Sequence, residues 1–588
     1  MNFFKRVLST IVGMTIFVAL CFLILFLVFF MNSSSPDDLI TVKKNTILEL
    51  DLSQPIDDYG GRFDYSQVPF FPNEPEYDGL FNIIDAINYA TDDNKIKGIS
   101  IKNNSISAGM AQTKALRDAL LSFKESGKFI VSYGDYYSQK DYYLNSVADT
   151  IYLNPVGALD FKGLAMERMY YKDFQEKYGV KMEVIRHGKY KSAVEGYISQ
   201  EMSEANREQI SVFLQSIWDE MRKEISASRN ITSDKLNVLA DELAGRTAES
   251  ALKAELIDKI GYQDEYEAGI QNAMGENTLV NRMDIYKYAR YVGHRKISTA
   301  SGDKIAIIYA QGEIMDTEGS ETIIGPGIMN ESLKEAREDD RVKAIVLRID
   351  SPGGSALASE LIWREIELTK RVKPVIVSMG NLAASGGYYI ACGADEIFAE
   401  PNTITGSIGV FGTVPNIHKL VDELGINAEQ VGTNKNSVEY SIFEPMTDEQ
   451  RALIKEGIED VYSLFTQRVA DGRNMTVEAV DEIAQGRVWT GNDAVKIGLV
   501  DEIGGLDMAL QAAAKAANIS SYETLELPVY EKDLQSIINQ YTGGYIQTKE
   551  EILREELGDK NYQLLKKLKK LSQMEGPQLL LPYEIEIK

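Results

Sequence analysis

Ser385 is the residue around which a reaction could be built. It lies in residues 375–395, a stretch that opens with a β-branched run of Val375, Ile376 and Val377 and turns at Met379 and Gly380. Its neighbours are Ala384 on one side and Gly386 and Gly387 on the other. A nucleophilic serine needs small neighbours, because a substrate backbone must come within bonding distance of its hydroxyl. Tyr388 to Cys392 read as the first turns of a helix, which puts Ser385 near a helix N-terminus. Unpaired N–H groups there favour a developing oxyanion. Residues 343–355, KAIVLRIDSPGGS, have the same design: a buried strand, a turn at Gly353 and Gly354, then a helix over 356–369. The two turns together predict a two-donor oxyanion hole made by the N–H groups of Gly354 and Gly386. Either turn alone is equally a small-residue corner that packs a helix on a strand.

Three motifs carry a family resemblance: DSPGGS at 350–355, MGNLAASGGYYIA at 379–391 and VIRHGKYKSAVE at 184–195. Together they resemble the signal peptide peptidase (protease IV) family in its long form, relatives of the Clp protease and crotonase folds. The resemblance implies that Ser385 is the nucleophile and Lys191 the general base. It implies an α/β fold, a tandem duplication of a spiral ββα domain, and assembly into a homo-oligomeric ring, a tetramer by resemblance. Apolar peptides such as signal peptides left in the membrane are the substrates it implies.

Bulk composition narrows the alternatives. A chain of 588 residues is too long for one domain, and its formal charge of −26 argues against nucleic acid as a partner. Two cysteines, Cys21 and Cys392, make no disulfide framework, and no cysteine and histidine set has zinc spacing. Neither a metal motif nor a nucleotide motif is present, so cofactor-free hydrolysis is expected. His187, His294 and His418 are scattered, so nothing demands a Ser-His-Asp triad, and a lysine base fits that pattern. The base must be neutral to accept a proton, which burial of the amine in an apolar pocket achieves.

The elements that must position these groups come from a duplication. Ile96 matches Val342, an offset of 246 (342 − 96), and Gly134, Tyr142 and Gly163 match Gly380, Tyr388 and Gly409 at the same offset. Further on, Lys191 matches Lys435 at an offset of 244 (435 − 191). The halves differ where chemistry would occur: Ser385 aligns with Gln139, and Pro352, Gly353 and Gly354 align with Ile106, Ser107 and Ala108. The first half therefore reads as a scaffold that kept one task, supplying Lys191. In a head-to-tail arrangement of repeats each lysine faces the serine position of the next repeat. Lys191 would then meet Ser385, and Lys435 would face the Gln139 position. Each half also holds a long amphipathic helix. Ser203 opens one, with Ile210, Leu214, Ile217, Met221 and Ile225 inward. Thr447 opens the other, with Leu453, Ile454, Ile458, Val461 and Phe465 inward.

Residues 7–31 form an uncharged run of 25, preceded by Lys5 and Arg6 and followed by Asp37 and Asp38. That length spans a bilayer, and the charge bias predicts a cytoplasmic N-terminus with the body outside. The resemblance implies a bacterial inner membrane, with the body on the periplasmic side. The expected organisation is an anchor at 1–31, a lysine-supplying repeat at 32–295, a serine-bearing repeat at 296–515, and an extension at 516–588. The halves join through a polar linker near 293–303, and residues 551–572 pattern as a basic amphipathic helix. Two other readings stay open, a crotonase-like acyl-CoA enzyme and a catalytically lapsed membrane scaffold. Ser385 among small residues favours the peptidase, because acyl-CoA chemistry needs no serine there.

Overall fold

A computed structural model describes residues 12–17, 20, 40–60, 62–64, 79–102, 105–275, 277–297, 302–438, 440–531 and 578–581. The predicted anchor falls mostly outside these, although residues 12–17 and 20 are helical. Among the described residues no helix is long and apolar enough to cross a membrane. The predicted basic helix at 551–572 also lies outside the described residues.

Two parallel sheets repeat one another. In the first half the strands Thr46–Leu50, Ile96–Ile101, Phe129–Tyr137 and Thr150–Leu159 lie side by side. In the second half Lys304–Gln311, Val342–Ser351 and Val375–Ala384 do the same. Their strands are apolar on both faces, as parallel strands covered by helices on each side must be. Ile345, Val346 and Leu347 are all fully buried. The long helices Glu204–Arg229 and Asp448–Arg473 are each 26 residues, opened by Ser203 and Thr447, whose side chains accept N–H bonds from Asn206 and Gln450.

Four details depart from the sequence expectations. The strand leading to the serine does not turn at Met379 and Gly380; it runs from Val375 to Ala384 because its far end gains a new partner, Ile404–Gly406. Gly293 belongs to the helix Ile285–Ile297 rather than to a linker. The segment after residue 516 is not separate from the second repeat, since Glu523–Leu527 adds a parallel strand beside Lys304–Gln311. Leu453 is 58% exposed because it falls off the stripe of Ile454, Ile458, Val461 and Phe465 that repeats every three or four residues.

The repeats are interlocked by a third, mixed sheet. It contains Gly353–Ser355 and Val410–Asn416 from the second half and Lys181–His187 from the first. Lys181–His187 runs antiparallel to Val410–Asn416 in continuous register, from Lys181 opposite Asn416 to His187 opposite Val410. This crossing strand carries the loop that bears Lys191 into the second half.

Candidate active site

The Val375–Ala384 strand ends directly at Ser385, and the helix Gly386–Ala391 begins directly after it. To make that corner Ser385 adopts φ 56° and ψ −112°. A non-glycine residue in such a conformation costs about 1–3 kcal/mol and persists only where its surroundings hold it. Here the Ser385 N–H donates to the Gly406 carbonyl at 2.8 Å, and the Ser385 carbonyl accepts from Tyr389 N–H at 2.8 Å. Gly386 has no room for a side chain: a Cβ would stand 2.7 Å from Ser359 Oγ and 3.1 Å from the Gly354 nitrogen. The first repeat lacks the strain. Its corner is an ordinary cap in which Ser138 accepts from Asp141 N–H, and the Gln139 side chain bonds the backbone of Lys162 and Gly163.

Gly353 and Gly354 form a short strand rather than a free turn, with Gly354 opposite Ile314. Gly353 sits at φ 98°, and a Cβ on Gly354 would meet the Ile314 carbonyl oxygen at 1.9 Å. Both positions therefore require glycine. The Gly353 N–H is consumed by Ser351 Oγ at 3.1 Å. The residues of the predicted donors, Gly354 and Gly386, lie close together at this corner. Behind them, Asp350 accepts from Leu382 N–H at 2.9 Å and from Asn381 Nδ2 at 3.0 Å, and burial pushes its carboxyl above the usual range. Asn381 Oδ1 in turn accepts from Ala111 and Gln112 N–H, the first turn of the helix Met110–Glu125 in the other repeat.

Lys191 reaches this corner from the first repeat. Its loop is clamped by Tyr190 N–H donating to the Gln485 carbonyl at 2.8 Å and by Arg186 donating to the Lys191 carbonyl at 2.8 Å. Gly486, at φ 78°, lets the Lys191 backbone approach so closely that a Cβ there would lie 2.6 Å from its nitrogen. The amine Nζ then lies 2.8 Å from Ser385 Oγ, 3.0 Å from the Ser407 carbonyl and 3.0 Å from Ser407 Oγ. Lys191 is fully buried, and among the described residues no carboxylate is paired with it. Burial alone holds its pKa well below the ordinary lysine value.

Ser385, Lys191, Gly354 and Gly386 thus converge within one chain, with Lys191 facing the serine of the following repeat. Lys435 does not join them or face the Gln139 position; it lies exposed on the loop at 426–438. Sequence reasoning missed Ser407, which accepts from the amine through both its carbonyl and its hydroxyl and itself sits at φ 53°. A signal was present, since the repeat offset sets Ser407 against Phe161, another place where the halves diverge from polar to apolar. A neutral amine beside a serine hydroxyl, with two amides at the same corner, can deprotonate the hydroxyl and stabilise the oxyanion that follows attack on a carbonyl.

Comparison with known sequences gives the family. A sequence model described as peptidase family S49 matches the chain twice, at residues 122–275 and 367–520. The chain belongs to peptidase family S49. The first match includes Lys191 and the second includes Ser385, so the duplicated architecture of the family's long form, the signal peptide peptidase (protease IV) type, is present. Protease 4 of Salmonella typhi is 37% identical over 79% of this chain and 76% of its own length. Protease 4 of Haemophilus influenzae is 35% identical over 76% of this chain and 74% of its own. The chloroplastic serine protease SPPA of Arabidopsis thaliana is 36% identical over 73% and 64%. Membership of this family makes the chain a serine protease and sets the acyl-CoA alternative aside.

Proposed function

We propose that the chain is a membrane-anchored endopeptidase in which Ser385 is the nucleophile and Lys191 the general base. The observation that carries this reading is the 2.8 Å separation of Lys191 Nζ and Ser385 Oγ at a fully buried lysine. Ser385 Oγ attacks the scissile carbonyl as its proton passes to the neutral Nζ. The Gly354 and Gly386 N–H groups hold the resulting oxyanion. Collapse expels the amine, which takes the proton from the Lys191 ammonium and leaves an acyl-enzyme. Lys191 then removes a proton from water as the hydroxide attacks the acyl carbonyl; collapse releases the acid, and the Lys191 ammonium returns the proton to Ser385 Oγ. Ser407 receives two N–H groups of the amine, which aims the remaining lone pair at Ser385.

Residues 1–31 are the anchor, with the N-terminus cytoplasmic and the body on the periplasmic side. Residues 32–295 supply the base and 296–515 the serine. The extension at 516–588 contributes the strand Glu523–Leu527 to the second sheet. Apolar peptides such as released signal peptides are the substrates that an enzyme held at the membrane would meet, and a homo-oligomeric ring is the assembly. The uncharged run at 7–31 and the family's long-form architecture support this part of the reading.

A fluorophosphonate probe tests the assignment. It should label the full-length protein once, and both Ser385→Ala and Lys191→Ala should abolish labelling. Labelling that survives Ser385→Ala would move the nucleophile elsewhere, and an unlabelled wild type would favour a lapsed scaffold.

A further inference from the structure

The glycine strand of the candidate site already has a peptide bound to it. Gln578–Leu580 runs antiparallel to Gly353–Ser355, with Leu580 opposite Gly353, Leu579 opposite Gly354 and Gln578 opposite Ser355. On its other edge Gln578 pairs antiparallel with Phe411. The segment therefore fills a slot between Gly353–Ser355 and Val410–Asn416, the last strand before the one that carries Lys191 inward. Adding an extended strand to sheet edges is how sheets commonly capture peptides, with backbone bonds giving affinity and alternate side chains giving selectivity.

The details match a substrate rather than a structural strap. Leu581 N–H donates to the Pro352 carbonyl at 2.5 Å, which makes Leu581 and Pro352 a hydrogen-bonded pair. Antiparallel pairs alternate between bonded and non-bonded, so Leu579 and Gly354 form the next bonded pair. The Leu579 carbonyl is thereby directed at the Gly354 N–H, one of the two proposed oxyanion donors. A Cβ built on Gly353 would stand 2.0 Å from that carbonyl oxygen and 2.6 Å from the nitrogen of Gly386, the other donor. Oxygen and both amides share one small space. Leu579 and Leu581 are 0% and 4% exposed: Leu579 packs in the apolar cluster that contains Ile314, Ala358 and Val410, and Leu581 in the one that contains Ala384, Ile404 and Val488. With the segment in place, Ser385 and Lys191 are both 0% exposed, so no second peptide can reach the hydroxyl.

We propose that residues 578–581 occupy the substrate cleft as a competitor carried by the chain itself, and must leave before an apolar peptide can bind. The inference rests on the cleft as read above. No bond is made or broken in it; the segment leaves intact and the slot becomes free. If the segment holds the slot at least nine-tenths of the time, external peptides bind about tenfold more weakly than to the empty cleft.

The test separates occupancy from catalysis. In a Ser385→Ala background, a fluorescently labelled peptide with the sequence of residues 576–583 is titrated and followed by anisotropy. Adding Leu579→Asp with Leu581→Asp should tighten its binding about tenfold or more, because two buried leucines become charges that cannot stay in apolar pockets. A chain ending at Glu575 gives the same comparison without new charge, should the double variant fail to fold. Equal affinity with and without the native segment overturns the proposal, as does failure of the peptide to bind either freed form. This readout needs no turnover, so it stands even if the serine and lysine roles are wrong. With Ser385 present, release of the segment should lower KM for an apolar peptide ester about tenfold and change kcat less than twofold, whereas an unchanged KM overturns the proposal.

Discussion

Lys191 is the residue on which the chemistry turns, and its environment has a thermodynamic consequence. In the unfolded chain the amine titrates at the ordinary lysine value, about 10.4. In the folded protein burial lowers that value substantially. Between the two values the unfolded state holds the proton and the native state does not, so stability rises with pH across this window. Below the folded pKa both states are protonated and the full penalty of a buried charge remains. Lys191→Met should therefore raise Tm at neutral pH, by an amount that shrinks as pH approaches 10. Thermal unfolding of both proteins from pH 6 to 10 checks this; a constant difference would mean the amine is not desolvated. Ser407 gives a second test. Ser407→Ala removes one of the contacts that aim the amine, and should lower kcat about tenfold with KM nearly unchanged. A change confined to KM would place Ser407 in substrate binding instead. Ser385, Lys191, Gly354 and Gly386 were legible in sequence because their types are odd for their setting and three of them sit where the repeats diverge. Ser407 was marked only by its divergence from Phe161, and its role was not legible, because that role depends on a φ of 53° that turns both its carbonyl and its hydroxyl toward one amine.

Elements fix these groups through contacts that the order of residues along the chain conceals. The serine strand was expected to stop at Gly380, since a glycine after a short apolar run reads as a turn. Instead Leu382, Ala383 and Ala384 pair with Ile404, Thr405 and Gly406, and this pairing carries the backbone to Ser385. Asn381, within that strand, ties the two repeats by accepting two N–H groups from the first turn of Met110–Glu125. Those amides have no partner within their helix and lie part-buried. Asn381→Ala should cost about 1–2 kcal/mol of stability, the scale of a lost helix cap. Urea unfolding measures it, and an unchanged midpoint would show that the contact adds nothing. The amphipathic helices were legible because a 3.6-residue period needs no knowledge of the partner, and the one misplaced residue, Leu453, lay a position off the stripe.

At the scale of the whole molecule, duplication was readable because two halves of one chain can be compared directly. What the comparison could not give was the means of bringing Lys191 to Ser385, a strand exchange in which Lys181–His187 leaves its own half to pair with Val410–Asn416. The reactive corner lies inside the described body, where Ser385 and Lys191 are both fully buried. A chain lacking residues 1–31 should accordingly be soluble without detergent and hydrolyse a peptide ester with kcat within about twofold of the full-length protein. A soluble, assembled and inactive truncation would give the run a part in the chemistry. The central claim, that Lys191 of one repeat and Ser385 of the next act as one unit, is tested most directly by kcat/KM for Lys191→Ala, Ser385→Ala, the double variant and Lys435→Ala. Groups that act together give losses that do not add. Each single loss at 191 or 385 should reach roughly 10³-fold or more, the double variant should be no worse, and Lys435→Ala should keep most of the activity. A Lys435→Ala loss that matches Ser385→Ala, with Lys191→Ala still active, would contradict it.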